Sequence, residues 1–119
     1  MQVTQQNKKI AIISVILCTL LTATGQLLWK LGVQGIESNG ILAYFNIYII
    51  LGFLSYGIGA ILLVIALKFW ELSRIHPILA LGYVWITLFA PIFLNEVIPT
   101  QRIIGVGIII IGVILIGKE

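Results

Sequence analysis

Few side chains in this sequence are able to bind a polar partner, and their spacing is regular. Along the first apolar stretch, Ile10 to Lys30, Ser14, Cys18, Thr22, Gln26 and Lys30 recur at every fourth position. On a helix that step keeps them on nearly one face. A polar row ending in a cation suits either a packing seam or the wall of a transport path, and exceeds what a lipid anchor needs. An ammonium such as Lys30 forms strong charge-assisted bonds to phosphate once water is partly excluded. An amide such as Gln26, one turn deeper, both donates and accepts, so it can read a hydroxyl. Further on stand Tyr83, Trp85 and Thr87, then Glu96 and Arg102.

Each of these has a plainer account as well. Lys30 fits a lysine snorkelling to the headgroups. Gln26 fits an interhelical hydrogen bond. Glu96 with Arg102 fits a solvated loop ion pair of little worth. Trp85 fits a packed aromatic whose N–H finds a neighbour, although its depth, about 12 Å beyond Pro77, also suits a cavity wall. Glu71, Arg74 and His76 are either a steering patch for an anionic headgroup or solvated interface residues.

The elements that carry these groups belong in a bilayer. The chain has 119 residues, 61% of them hydrophobic and 9% charged. A soluble domain carries about a quarter charged residues, so too few are present here to coat a water-facing surface. The expected class is all-α, an integral membrane protein with four transmembrane helices. Its helices are placed at about 10–30, 46–68, 77–94 and 101–116, with residues 1–9 as a short cytoplasmic tail and 10–118 as the four-helix unit. Lys8 and Lys9 before an apolar run, with Ala23-Thr24-Gly25 behind, have the shape of a secretory signal. Leu27, Leu28 and Trp29 resume the apolar run at once, which favours a full span.

Gly32 and Gly35 should end the first helix, and Asn39-Gly40 should turn the first loop, which also holds Glu37. Tyr44, Phe45 and Tyr48 read as an interfacial aromatic belt. Gly52, Ser55, Gly57, Gly59 and Ala60 give the second helix a small face for close packing. Residues 68–76 read as a polar connection, with Pro77 opening the third helix and Pro91 kinking it. Gly105 and Gly112 make a seam on the fourth helix, and Lys118 and Glu119 follow it. Lys8, Lys9, Lys68, Arg74 and Lys118 fall on one side, with Lys30 and Arg102 on the other. That bias favours both termini inside.

Several function classes are set aside. One cysteine and one histidine give no metal cluster and no disulfide framework, and the basic residues form no patch with interleaved aromatics. No enzyme, no cofactor, no metal and no nucleic acid are expected. The carboxylates, Glu37, Glu71, Glu96 and Glu119, all fall outside the middle of a span, where a cation exporter coupled to protons would need one.

From Ala66 to Lys118 the sequence resembles the second half of an EamA-like unit of the drug/metabolite transporter superfamily. The resemblance rests on Ala66-Leu67-Lys68, on Glu71-Leu72-Ser73 before Pro77, on the Glu96 turn and on the glycine-spaced last helix. Gly25-Gln26-Leu27-Leu28-Trp29-Lys30 looks like the small four-helix members. Among these it is most similar to the paired subunits that flip aminoarabinose-phosphoundecaprenol. Small multidrug exporters carry an essential glutamate within the first helix. The stretch Ser14 to Thr24 has no carboxylate, a departure that the flippase-like subunits share.

The resemblance implies a dimeric protein, a homodimer or a heterodimer with a similar small protein, with Gly105 and Gly112 at the contact. It implies a flippase or transporter in the bacterial inner membrane, moving a polyisoprenyl-phosphate-linked sugar or similar anionic lipid. The expected substrate-binding residues are Gln26, Lys30, Tyr83, Trp85, Glu96 and Arg102. Lys30 would hold phosphate, Gln26 and Trp85 would contact the sugar or backbone, and Glu96 would hold an amine. The competing expectations are a proton-coupled small multidrug or metabolite exporter and an accessory subunit of a membrane glycosyltransferase.

Overall fold

The computed structural model describes residues 4–34, 36 and 40–118. Gly35 as a helix end, Glu37 and Asn39 in the first loop, and Glu119 lie outside the described residues. The described chain is helical, with α1 at Gln5–Gln34, a 3-10 turn at Ile41–Tyr44, α2 at Ile47–Phe69, α3 at Leu72–Ile78, α4 at Leu81–Phe93 and α5 at Thr100–Gly117. Four stretches are long and apolar enough to cross a membrane, with α3 and α4 together making the third, Leu72–Phe93.

α1 starts at Gln5, five residues before the apolar run. Thr4 explains this, because its hydroxyl accepts from the Asn7 N–H at 3.1 Å and satisfies a donor of the first turn. At 1.5 Å per residue the 30-residue helix is about 45 Å long, more than one hydrocarbon thickness.

α1 and α2 pack antiparallel through small residues. A Cβ on Gly25 would lie 2.7 Å from the Gly52 carbonyl oxygen, and one on Gly52 would lie 2.5 Å from Trp29 Cδ1. Only glycines permit that approach. Ser55 locks it by donating from Oγ to the Leu21 carbonyl at 2.8 Å. Gly52, Ser55 and Gly59 carry the contact, whereas Gly57 faces open space and Ala60 is exposed. Asn46 fixes the other end of the pair. Its Oδ1 accepts from Ile49 N at 3.2 Å, capping α2, while Nδ2 donates to the Gly32 carbonyl at 3.2 Å.

Residues 68–76 are more ordered and more buried than a polar connection would be. Trp70 caps α2 and joins Ala11, Val15, Ala66, Ile75 and Ile78 in the protein's main apolar cluster. Pro77 does not open the third span; α3 begins five residues earlier, and Pro77 lies in its last turn. Lacking an N–H, it cannot bond the Ser73 carbonyl, and the chain tightens there. Leu79 and Ala80 bond back to His76 and Pro77 at 3.1 Å before α4 begins. The third span is therefore broken near its start.

Pro91 sits in the last turn of α4, which ends at Phe93. Asn95 adopts a φ of 56°, a left-handed conformation that asparagine tolerates better than most residues. That turn brings the Glu96 N–H to within 3.4 Å of the Ala90 carbonyl. α5 has no buried residue, and a Cβ added at Gly105, Gly107, Gly112 or Gly117 would meet nothing within 4 Å.

Candidate functional site

The polar row on α1 changes character along its length. Ser14 and Cys18 are buried, Thr22 is half-buried, and Gln26 and Lys30 are exposed. The threonine hydroxyls are largely engaged within the helix. Thr22 donates to the Thr19 carbonyl at 3.2 Å and Thr24 to that of Leu20 at 2.8 Å. The outer end of the row is what remains for another molecule.

That end faces a run of three cavities. The first, about 310 Å³, lies among α1, α2 and α4, and is lined by Cys18, Thr22, Gln26, Tyr56 and Tyr83 among others. The second, about 300 Å³, shares Ala23, Gln26 and Ile86 with the first and adds Lys30, Phe89 and Glu96. The third, about 420 Å³, lies between α4 and α5, and is lined by Tyr83, Thr87, Glu96 and Arg102 among others. Volumes of this order suit small-molecule groups. Gln26, Lys30, Tyr83, Glu96 and Arg102 therefore line neighbouring cavities that have wall residues in common.

Three helices position these groups. α1 sets Gln26 and Lys30 one turn apart on one face. The tight α1–α2 contact places Tyr56 across from Gln26, with its ring stacked on Trp29 at 5.1 Å. The left-handed turn at Asn95 holds Glu96 beside the end of α4. Lys30 and Glu96 line one cavity, yet among the described residues neither makes an ion pair within 4.0 Å. A cation and a carboxylate held apart in one cavity can receive the two ends of a zwitterionic headgroup.

Trp85 is placed differently. Its indole N–H donates to Thr19 Oγ1 at 3.0 Å, and Thr19 in turn donates to the Ile16 carbonyl at 2.7 Å. The ring stacks on Phe89 at 6.3 Å. Trp85 lines none of the three cavities. Two lining residues, Tyr56 and Ile86, carried no signal in the sequence: Tyr56 sits among the small residues of α2, and Ile86 is one apolar residue among many. Glu71 and Arg74 lie at the far end of the molecule, with Arg74 Nε 3.8 Å from Glu71 Oε2.

A model of the EamA-like transporter family matches residues 6–118. The chain belongs to the EamA-like transporter family. It is a multi-pass membrane transporter. A protein of Salmonella heidelberg (strain SL476) is 29% identical over 106 residues, covering 89% of this chain and 96% of its own. A protein of Escherichia fergusonii is 29% identical over 103 residues, covering 87% and 93%. Both are described as "probable 4-amino-4-deoxy-L-arabinose-phosphoundecaprenol flippase subunit ArnE". No solved structure matches the chain.

Proposed function

We propose that this EamA-like protein is a flippase subunit that moves a polyisoprenyl-phosphate-linked sugar, or a similar anionic lipid, across the bacterial inner membrane. The observation that carries the proposal is the second cavity, lined by Gln26, Lys30 and Glu96, where among the described residues neither Lys30 nor Glu96 makes an ion pair. Lys30 holds the phosphate through charge-assisted hydrogen bonds. Gln26 reads a sugar hydroxyl. Glu96 receives an amine where the sugar has one, as the sugar named in the relatives' description does. Tyr83 and Arg102 extend the site towards α5. Trp85 acts through Thr19, holding α4 on α1.

The headgroup moves along the polar face of α1 while the chain of the lipid stays in the bilayer. Both termini lie inside, so the Lys30 end faces outward, consistent with more basic residues at the Lys8 end. α5, none of whose residues is fully buried, meets a second small subunit, a like copy or a similar protein. Rocking of the two subunits alternates access. The sequence has no phosphate-binding glycine loop, so energy comes from a gradient or from consumption of the flipped lipid.

Flipping assayed in proteoliposomes with the lipid-linked aminosugar tests this. Lys30→Ala should abolish flipping while the assembly stays intact. Full activity in that variant overturns the role of Lys30. Resistance to toxic cations that depends on this protein would favour an exporter instead. Stimulation of a purified glycosyltransferase without translocation would favour an accessory subunit.

A further inference from the structure

The first two cavities share Ala23, Gln26 and Ile86 but differ in charge. Lys30 and Glu96 line the second and not the first. The polar side chains around the first are Cys18, Thr22, Gln26, Tyr56 and Tyr83, and none is a carboxylate or a cation. Three of them are open to a ligand. Among the described residues, the Gln26 amide and the Tyr56 and Tyr83 hydroxyls make no hydrogen bond. Thr22 donates to the Thr19 carbonyl at 3.2 Å, which leaves its lone pairs to accept. Tyr56 is also held in place. A Cβ on Gly25 would lie 3.2 Å from the Tyr56 backbone nitrogen and 3.3 Å from Tyr56 Cβ. The glycine next to Gln26 thus lets this turn of α2 close on α1. The Tyr56 ring stacks on Trp29, with centroids 5.1 Å apart and 24° between the planes.

We infer that the first cavity is the subsite that reads the hydroxyls of the sugar headgroup, with Tyr56 as its specificity-determining residue. This rests on the flippase reading above. A ring held by its phosphate at Lys30 and by an amine at Glu96 still has hydroxyls to satisfy. The second cavity offers them one side-chain amide, Gln26, because its remaining lining residues are apolar. The first cavity adjoins it at Gln26 and supplies two phenols and a threonine. A phenol both donates and accepts, so it serves a hydroxyl whichever way the proton points. A lining without charge suits the neutral edge of the ring, since no lone ion has to be desolvated there. The volume of about 310 Å³ is at the small end for ligand pockets, which fits one sugar unit rather than an oligosaccharide. A site built to bond hydroxyls rejects an analogue without them, because its own groups are then left unpaired. Tyr56 is 38% exposed and Tyr83 67%, so the better shielded Tyr56 loses more when its partner is missing.

Native mass spectrometry of the detergent-purified full chain tests this with three probes. They are farnesyl phosphate, farnesyl phosphate bearing an aminopentose, and that sugar lipid with its ring hydroxyls replaced by hydrogen. Wild type is expected to bind the hydroxylated lipid about tenfold more tightly than its deoxy analogue. Tyr56→Phe keeps the ring stack and removes only the hydroxyl. It should bind the hydroxylated lipid about threefold or more weakly, as loss of one neutral hydrogen bond implies. It should bind farnesyl phosphate and the deoxy lipid as wild type does. Tyr83→Phe is expected to show the same pattern to a smaller degree, and decides the matter if Tyr56→Phe does not purify as a folded species. K30Q should weaken all three probes and keep the preference for hydroxyls. If K30Q binds like wild type while Y56F loses that preference, the subsite stands and the phosphate role of Lys30 falls. Equal weakening of all three probes by Y56F shows a purely structural role and overturns the proposal. So does a Y56F protein that keeps the full wild-type preference. Wild type that binds none of the probes overturns both this subsite and the flippase reading.

Discussion

Trp85 and Thr19, 66 residues apart, are joined by a 3.0 Å hydrogen bond that ties α4 to α1. Thr19 is 1% exposed, and its own proton goes to the Ile16 carbonyl. The indole thus reaches an acceptor that is already polarised, on a helix whose next turn lines the first cavity through Thr22 and Ala23.

Removing the acceptor should loosen this joint. Thr19→Val leaves the Trp85 N–H without its partner, at a cost of about 1–2 kcal/mol. Trp85→Phe in the same background should cost less than it does alone. Thermal melts of the two single variants and the double variant measure the coupling, and strict additivity would show that the bond contributes nothing.

The α1–α2 contact makes an equally sharp demand. Gly25→Ala and Gly52→Ala put a Cβ within 2.7 Å and 2.5 Å of atoms across the interface, and each should destabilise by about 1–3 kcal/mol. Gly57→Ala meets nothing within 4 Å and should be neutral or slightly stabilising. Equal melting temperatures for all three variants would contradict the packing described.

Asn95 should matter through its backbone. Asn95→Gly accepts the φ of 56° and should preserve flipping. Asn95→Val is expected to cost about 1–2 kcal/mol and to displace Glu96. Comparing flipping rates and melting temperatures of the pair separates the backbone effect from any role of the amide.

Glu96 should discriminate between cargoes. Glu96→Gln is expected to slow flipping of an amine-bearing sugar lipid by about tenfold, as loss of a charge-assisted bond implies. A hydroxyl analogue of the same lipid should be flipped within about twofold of the wild-type rate. Equal losses for both lipids would mean that Glu96 does not read the amine.

The fold was legible from apolar runs, because a bilayer imposes span length directly on the sequence. Small residues on α2 announced its packing face, although Gly57 shares their type and faces open space. The break in the third span was misplaced. A proline suits both the first turn of a helix and the last turn before a tightening, and sequence alone does not distinguish Pro77 in the two settings. Trp70 and Ile75 looked like members of a polar connection because their neighbours are charged, and only folding shows them turned into the core. Along the cavities, Gln26 and Lys30 were visible through their spacing. Tyr56 was hidden because an aromatic residue gains its meaning from what it faces across the helix pair, and that partner lies on another span.

The glycine-lined contact between α1 and α2 also bears on how the protein is made. The tightest joint in the chain links the first two spans, and Asn46 bridges them at the loop. Everything that joint needs has been synthesised once Phe69 is added, before any residue of α3, α4 or α5. The hairpin can therefore enter the bilayer as a finished unit, with its serine, asparagine and backbone polar groups already matched. The later spans, α4 through Trp85 and α5 with no buried residue, are then added to a surface that is already in place.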